Sequence, residues 1–183
     1  MATHHAPSSA CETPRRFSSC SLKHAAGRGV QIRDRIRPNL HHPDLIRGSS
    51  WITRSPEETV ALGHALGTQL PHRAVVALTG DLGAGKTTLV KGIVQGVTGC
   101  SPEEVSSPTF TYLNIYEGES PLYHFDLYRI PDEETFAELG FDDFLMTNGV
   151  ACIEWAEKIE LPAGTIQVEL RHTPDGAREI RYA

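Results

Sequence analysis

Apolar positions are scattered singly over residues 1–50, with no period of 2 or 3.6, so that stretch has no face to bury and is expected to be a disordered tail. From Trp51 onward the pattern changes, and a folded domain is expected over 51–183. "TRSPEETVALGHALGTQL" reads as a helix entry: Ser55 as N-cap, Pro56 in the first turn, Glu58 completing a capping box, then Val60, Ala61, Ala65 and Leu66 as the apolar stripe. "AVVALTG" is short, β-branched and continuously apolar, which predicts a strand buried on both faces. "KTTLVKGIVQGV" predicts a helix ending near Gly99. "TFTYLNIYEG" and "LYHFDLYRI" predict two strands joined by a Gly-containing turn at 117–121. "DEETFAEL" predicts a short acidic helix, "GVACIEW" another buried strand, and "TIQVELRH" with "REIRY" a hairpin around "TPDG". Strands alternating with helices through the middle predict an α/β sheet with helices on both faces.

Charge sharpens the division. Residues 1–50 hold eight Lys/Arg and three Asp/Glu, whereas 51–183 hold nine and twenty. The acidic body is unsuited to strong nucleic-acid binding, since phosphate neutralisation needs Lys and Arg; the basic tail is expected to be a solvated arm. Residues 1–33 contain one acid, Glu12, with several Arg and Ser, the composition of an organelle transit peptide and equally of a start assigned too far upstream. No apolar run approaches the roughly 20 residues that span a bilayer. Cys11, Cys20, Cys100 and Cys152 form no CxxC pair, which argues against a disulfide framework or zinc site and for a reduced, cytoplasmic setting.

The chemistry concentrates in "GDLGAGKTTLV". Gly80, Gly85, Lys86 and Thr87 satisfy G-x-x-x-x-G-K-[ST] between a buried strand and a helix, the context that gives this motif its meaning. Over Asp81, Leu82, Gly83, Ala84, Gly85 and Thr88 the backbone is expected to curl its N–H groups toward phosphates, with Lys86 reaching the β- and γ-phosphates and the Thr87 hydroxyl binding Mg²⁺. A carboxylate must complete the metal site. Glu154 and Asp126 both end predicted strands; Glu154, after the more apolar run, is assigned to Mg²⁺, while Asp126 follows an alternating strand whose polar member is His124. Asp126 is left to position or deprotonate water, or to couple a moving segment to the nucleotide. "SSPTF" (106–110) lies where switch segments of nucleotide hydrolases lie. His124 reads as a partly exposed strand residue. No N/T-K-x-D segment is present, which favours ATP over GTP.

"GDLGAGKTT", "SPTF", "YHFDLYR" and "IEW", in this order and spacing, resemble the bacterial TsaE family over about residues 51–183. The P-loop is generic; the other motifs are more specific. The resemblance implies a P-loop NTPase-like three-layer sandwich with a mixed sheet, and an ATPase, weak without partners, that supports threonylcarbamoyladenosine formation on tRNA by acting on a TsaD–TsaB complex. It implies Thr87 and Glu154 as metal residues, Asp126 as the functional aspartate, Thr109 as the switch threonine, Trp155 beside the nucleotide and, more weakly, Arg178 near it. The basic head lies outside the family's pattern, and members often continue beyond the position of Ala183.

Two other classes share the motif. A small-molecule kinase would use the same phosphate site with an Arg-rich lid, yet between Lys91 and Lys158 the only Lys or Arg is Arg129. A nucleotide-gated binding module would bind ATP without turning it over.

Overall fold

A computed structural model describes residues 48–182, so most of the expected tail over 1–50 lies outside the described residues. Seven strands form one mixed sheet: β1 (Ser50–Thr53), β2 (Val75–Thr79), β3 (Leu113–Tyr116), β4 (Leu122–Asp126), β5 (Val150–Glu154), β6 (Ile166–His172) and β7 (Arg178–Tyr182), in spatial order β1-β7-β6-β2-β5-β4-β3. β2 runs parallel to β5 and β6, and β4 parallel to β5, while β1–β7, β6–β7 and β3–β4 pair antiparallel. The helices are α1 (Pro56–Gly67), α2 (Lys86–Thr98), α3 (Glu133–Glu138) and α4 (Asp142–Leu145).

β2 explains why its sequence shows no alternation. Val76 and Leu78 enter a core shared with α1 and α2, while Val75 and Ala77 enter a second core on the opposite face. A strand covered on both sides needs apolar residues at every position. The second core is aromatic: Phe125 contacts Phe136, Phe141 and Phe144 at ring separations of 5.8, 5.5 and 6.3 Å. The sheet with α1 and α2 on one face and the α3–α4 segment on the other makes the three expected layers.

α1 begins as expected. Ser55 Oγ accepts from the Glu58 N–H at 3.2 Å, and Glu58 reaches back to the Arg54 N–H at 2.7 Å, one residue beyond the cap. Its buried face shares only Leu66 with the expected stripe: Thr59, Leu62, Gly63, Leu66 and Gly67 are buried, Val60 and Ala65 half-buried, and Ala61 exposed. Glycine is the reason. Gly63 lies against Gly92 of α2 and Gly67 against Gly96, and a Cβ at any of the four would overlap the neighbouring helix backbone. Small residues spaced by four let two helices approach to backbone contact, so α1 turns its glycines, not its alanines, inward. The pairs run in the same order along both helices, which makes them parallel.

Other expectations were too long or incomplete. Thr109–Tyr112 form a turn and not the start of a strand, with Tyr112 at φ 63°, and β4 stops at Asp126 because Leu127 to Ile130 turn back on themselves. β1 and α4 were not foreseen. β1 is only four residues long, and it is held by pairing to β7 and by an edge-on contact between Trp51 and Tyr182 at 5.0 Å.

Candidate functional site: a phosphate loop with two carboxylates

The carboxyl ends of β2, β5 and β4 lie side by side, the position where open α/β sheets bind ligands. The register aligns Leu78 with Glu154 and Glu154 with Asp126. The loop Gly80–Gly85 leaves β2 here and opens α2. Gly80 sits at φ 132° with its Cα pressed against the Leu170 carbonyl of β6, so no side chain fits there. Gly85, at φ 104°, is the cap from which α2 starts, with no side chain competing for its free N–H groups.

Around a cavity of about 290 Å³ stand Leu82, Gly83, Gly85, Lys86, Thr87, Thr88, Ser107, Thr109, Asp126, Tyr128, Glu154 and Trp155. Lys86, 4% exposed, donates to the carbonyls of Gly80 at 2.6 Å and Asp81 at 3.0 Å, and its ammonium lies 3.8 Å from the centre of the Trp155 ring. Burial pushes the Lys86 pKa down, and the charges of Glu154, Glu157, Asp126 and Asp81 oppose that shift. Trp155 is held over the lysine by a left-handed backbone (φ 61°, ψ 40°), costly for a bulky residue, and by its N–H bond to the Leu78 carbonyl at 3.1 Å.

The two carboxylates are both 3% exposed and bonded differently. Glu154 Oε1 accepts from Thr87 Oγ1 at 2.7 Å and from His124 Nε2 at 2.9 Å. Asp126 Oδ2 accepts from Ser107 Oγ at 2.7 Å and Thr109 Oγ1 at 2.6 Å, and Oδ1 from the Tyr128 N–H at 3.0 Å.

Most sequence-selected residues therefore converge. Three do not line the cavity: Ala84 is buried in the first core, Asp81 contributes its carbonyl to Lys86, and Arg178 opens β7 with Nη1 donating to the Gly176 carbonyl at 3.1 Å. Arg178 pairs in register with His172, which lies beside Gly83 at the loop's outer side. His124 corrects its expectation outright: it is fully buried, facing inward beside Glu154. Ser107 and Tyr128 were also missed. The two hydroxyls spaced by one residue in "SPT", and an aspartate two residues before a free N–H, are the local signals that could have found them.

Thr87 and Glu154 suit a hard cation. A hydroxyl and a carboxylate meet at the cavity wall, and among the described residues no cluster of three or more His, Cys, Asp or Glu could hold a metal alone. The hydroxyl–carboxylate pair is of the kind that Mg²⁺ accepts, since that ion takes one or two protein oxygens and completes its shell with water and phosphate. Thr88 also lines a wider groove of about 620 Å³ between α1 and α2, walled by Pro56, Val60, Ala61 and Pro102. No described helix is long and apolar enough to cross a membrane.

Known proteins resemble this chain over most of its described residues. The chain is 42% identical to the tRNA threonylcarbamoyladenosine biosynthesis protein TsaE of Treponema pallidum (strain Nichols), over 72% of this chain and 98% of that protein. It is also 42% identical to the protein of the same name from Bacillus subtilis (strain 168), over 72% and 83% respectively. The crystal structure of Bacillus subtilis YdiB superposes with a TM-score of 0.60 at 36% identity, covering 74% of this chain and 84% of that one. The family model described as threonylcarbamoyl adenosine biosynthesis protein TsaE matches residues 53–180, and the chain belongs to that family.

Proposed function

We propose that this chain is a P-loop ATPase that binds and hydrolyses Mg-ATP in support of threonylcarbamoyladenosine formation on tRNA, acting on a TsaD–TsaB complex. The observation that carries the ATPase reading is the meeting of Thr87 and Glu154 at 2.7 Å beside a glycine loop and a buried lysine. The pathway rests on the names of the relatives.

In this reading the loop N–H groups and the N-terminus of α2 hold the phosphates. Lys86, poised among backbone carbonyls, exchanges them for phosphate oxygens, a charge-assisted contact worth about 1.5–3 kcal/mol. Thr87 and Glu154 would hold the cation, which when bound would supply positive charge against the phosphates. The groove between α1 and α2 takes the nucleoside. Asp126 couples the 106–110 segment to the site. Its oxygens are already occupied by two hydroxyls of that segment and by the Tyr128 N–H, which fits a latch better than a free general base.

The test is ATP turnover by the full chain, alone and with purified TsaD and TsaB. Turnover should be weak alone, rise with the pair and vanish in Lys86→Ala. Turnover that ignores the pair would remove the partner assignment, and unchanged ATP affinity in Lys86→Ala would remove the phosphate site.

A further inference from the structure

We infer that His124 is a positioning residue, one that fixes the Glu154 carboxylate for the cation of a bound Mg-nucleotide. The inference rests on the reading of Glu154 as the Mg²⁺ carboxylate.

β4 places His124 opposite Cys152 of β5, with Leu122 and Cys152 in the core under α1 and α2. An apolar side chain would be the undemanding choice there. The imidazole is instead fully buried, which costs free energy unless its polar atoms are bonded. One of them is. Nε2 lies 2.9 Å from Glu154 Oε1, and a carboxylate partner makes Nε2 the hydrogen-bearing nitrogen. Nδ1 is buried with no hydrogen-bond partner among the described residues. The ring is thus held through Nε2 on Glu154, and it lies 6.5 Å from the Tyr116 ring in a stacked arrangement.

The bond falls on a meaningful atom. Oε1 receives both His124 and Thr87, from β4 and from α2, while Oε2 accepts no hydrogen bond from the described residues. Two donors on one oxygen fix the carboxylate plane and leave the second oxygen for a ligand. The two donors are unequal in this role. Thr87 is itself assigned to the cation, so its hydroxyl oxygen is shared once metal binds. His124 has no such second duty and stays as the anchor. A metal ligand held by an outer hydrogen bond is a general device, and losing that bond typically lowers metal affinity by about 10–100-fold.

The experiment measures affinity, not turnover. Calorimetry on the full chain compares binding of a non-hydrolysable ATP analogue with Mg²⁺ and with EDTA, and the ratio of the two affinities reports the metal linkage. His124→Gln can return a donor to the position of Nε2; His124→Asn reaches only the position of Nδ1, and His124→Phe has no donor. The expected result is a ratio kept within about twofold in the Gln variant and lowered about tenfold or more in the Asn and Phe variants, with the EDTA affinity unchanged in all three. A merely structural histidine would lower thermal stability and leave the ratio alone. Should Glu154→Gln reduce the ratio while every His124 variant keeps it, the role of His124 is overturned and that of Glu154 stands. Should Glu154→Gln itself leave the ratio unchanged, the underlying metal assignment fails, and this inference with it. If the Asn and Phe variants do not fold, ¹⁵N-histidine NMR of the unaltered chain decides, with His124 identified by its absence in the Gln variant. Its Nε2 must bear the hydrogen and shift when Mg²⁺ is added to the analogue complex. A hydrogen on Nδ1, or no shift, overturns the proposal.

Discussion

Glu154 and Asp126 sit opposite one another in register at the ends of adjacent strands, equally buried, yet they face different kinds of partner. Glu154 is gripped by regular structure, a histidine of β4 and the threonine in the first turn of α2. Asp126 is gripped by Ser107 and Thr109, in a segment with no regular structure between α2 and β3. Regular elements keep their geometry whether or not a ligand is bound, while the 106–110 segment, tied to Asp126 by two hydroxyls and to β3 through Ser106, is held by side-chain contacts that can be exchanged singly. The first arrangement suits a fixed cation site and the second a device that responds to nucleotide.

The largest expected effect comes from breaking each carboxylate in turn. Glu154→Gln should cut turnover with the partner complex and be partly rescued by raised Mg²⁺, because the missing charge weakens a hard-cation site. Asp126→Asn should leave Mg²⁺ and ATP affinity nearly intact while turnover falls. A general base would cost about 10²–10⁴-fold. The latch predicts a fall below that range, reproduced by the double variant Ser107→Ala/Thr109→Val, which removes the two hydroxyls and leaves the aspartate. If Asp126→Asn costs a thousandfold or more by the general-base range and the double variant costs little, Asp126 acts on water directly and the contrast between the two sites dissolves.

How much of this was legible beforehand depended on how local each cause is. Gly80 to Thr87 form a contiguous motif, the strand ending in Glu154 announces itself by an apolar run and the one ending in Asp126 by alternation, so most residues around the cavity were within reach. The glycine face of α1 was not. A helix normally buries its larger apolar residues, and only the partner helix, with Gly92 and Gly96 at matching heights, makes the small face the inner one. His124 was misread for the same reason. A polar residue in an alternating strand reads as outward-facing, and what pulls it inward is a carboxylate thirty positions later.

The helix pair gives the second, smaller break. Gly92→Ala should destabilise the fold by about 1–3 kcal/mol, the usual range for overpacking, even though alanine is favoured over glycine by about 1 kcal/mol in a helix interior. The reason is steric: the new methyl would meet the Val60 carbonyl and the backbone at Gly63 and His64, which cannot swing aside as a flexible side chain could. Since α2 carries Thr87 and not Ser107 or Thr109, displacing it should disturb the Glu154 site first. Thermal melts read the stability, and the Mg²⁺ dependence of nucleotide affinity reads the site. A stabilised Gly92→Ala protein would mean that the helices separate without cost.

The smallest expected effect is a matter of pH, and it ranks the two carboxylates on one scale. Lys86 has its pKa lowered by burial, and among the charges that oppose this, Glu154 contributes most and Asp126 less. An unfolded chain holds the lysine proton up to its ordinary value near about 10.4. Between the lowered folded value and that limit the unfolded state binds more protons, so this group makes stability rise with pH there. Nucleotide binding runs the other way. Phosphate attracts the charged ammonium, so binding in that window takes up a proton and affinity falls as pH rises. Glu154→Gln removes the strongest influence holding the proton on, and the fall should begin at lower pH than in Asp126→Asn, which in turn should precede the unaltered chain. Affinities for the ATP analogue in EDTA, taken over a pH series that ends at the ordinary lysine value of about 10.4, give the order directly. The reverse order would place Lys86 electrostatically closer to Asp126, and the fixed half of the site would then extend to the loop side.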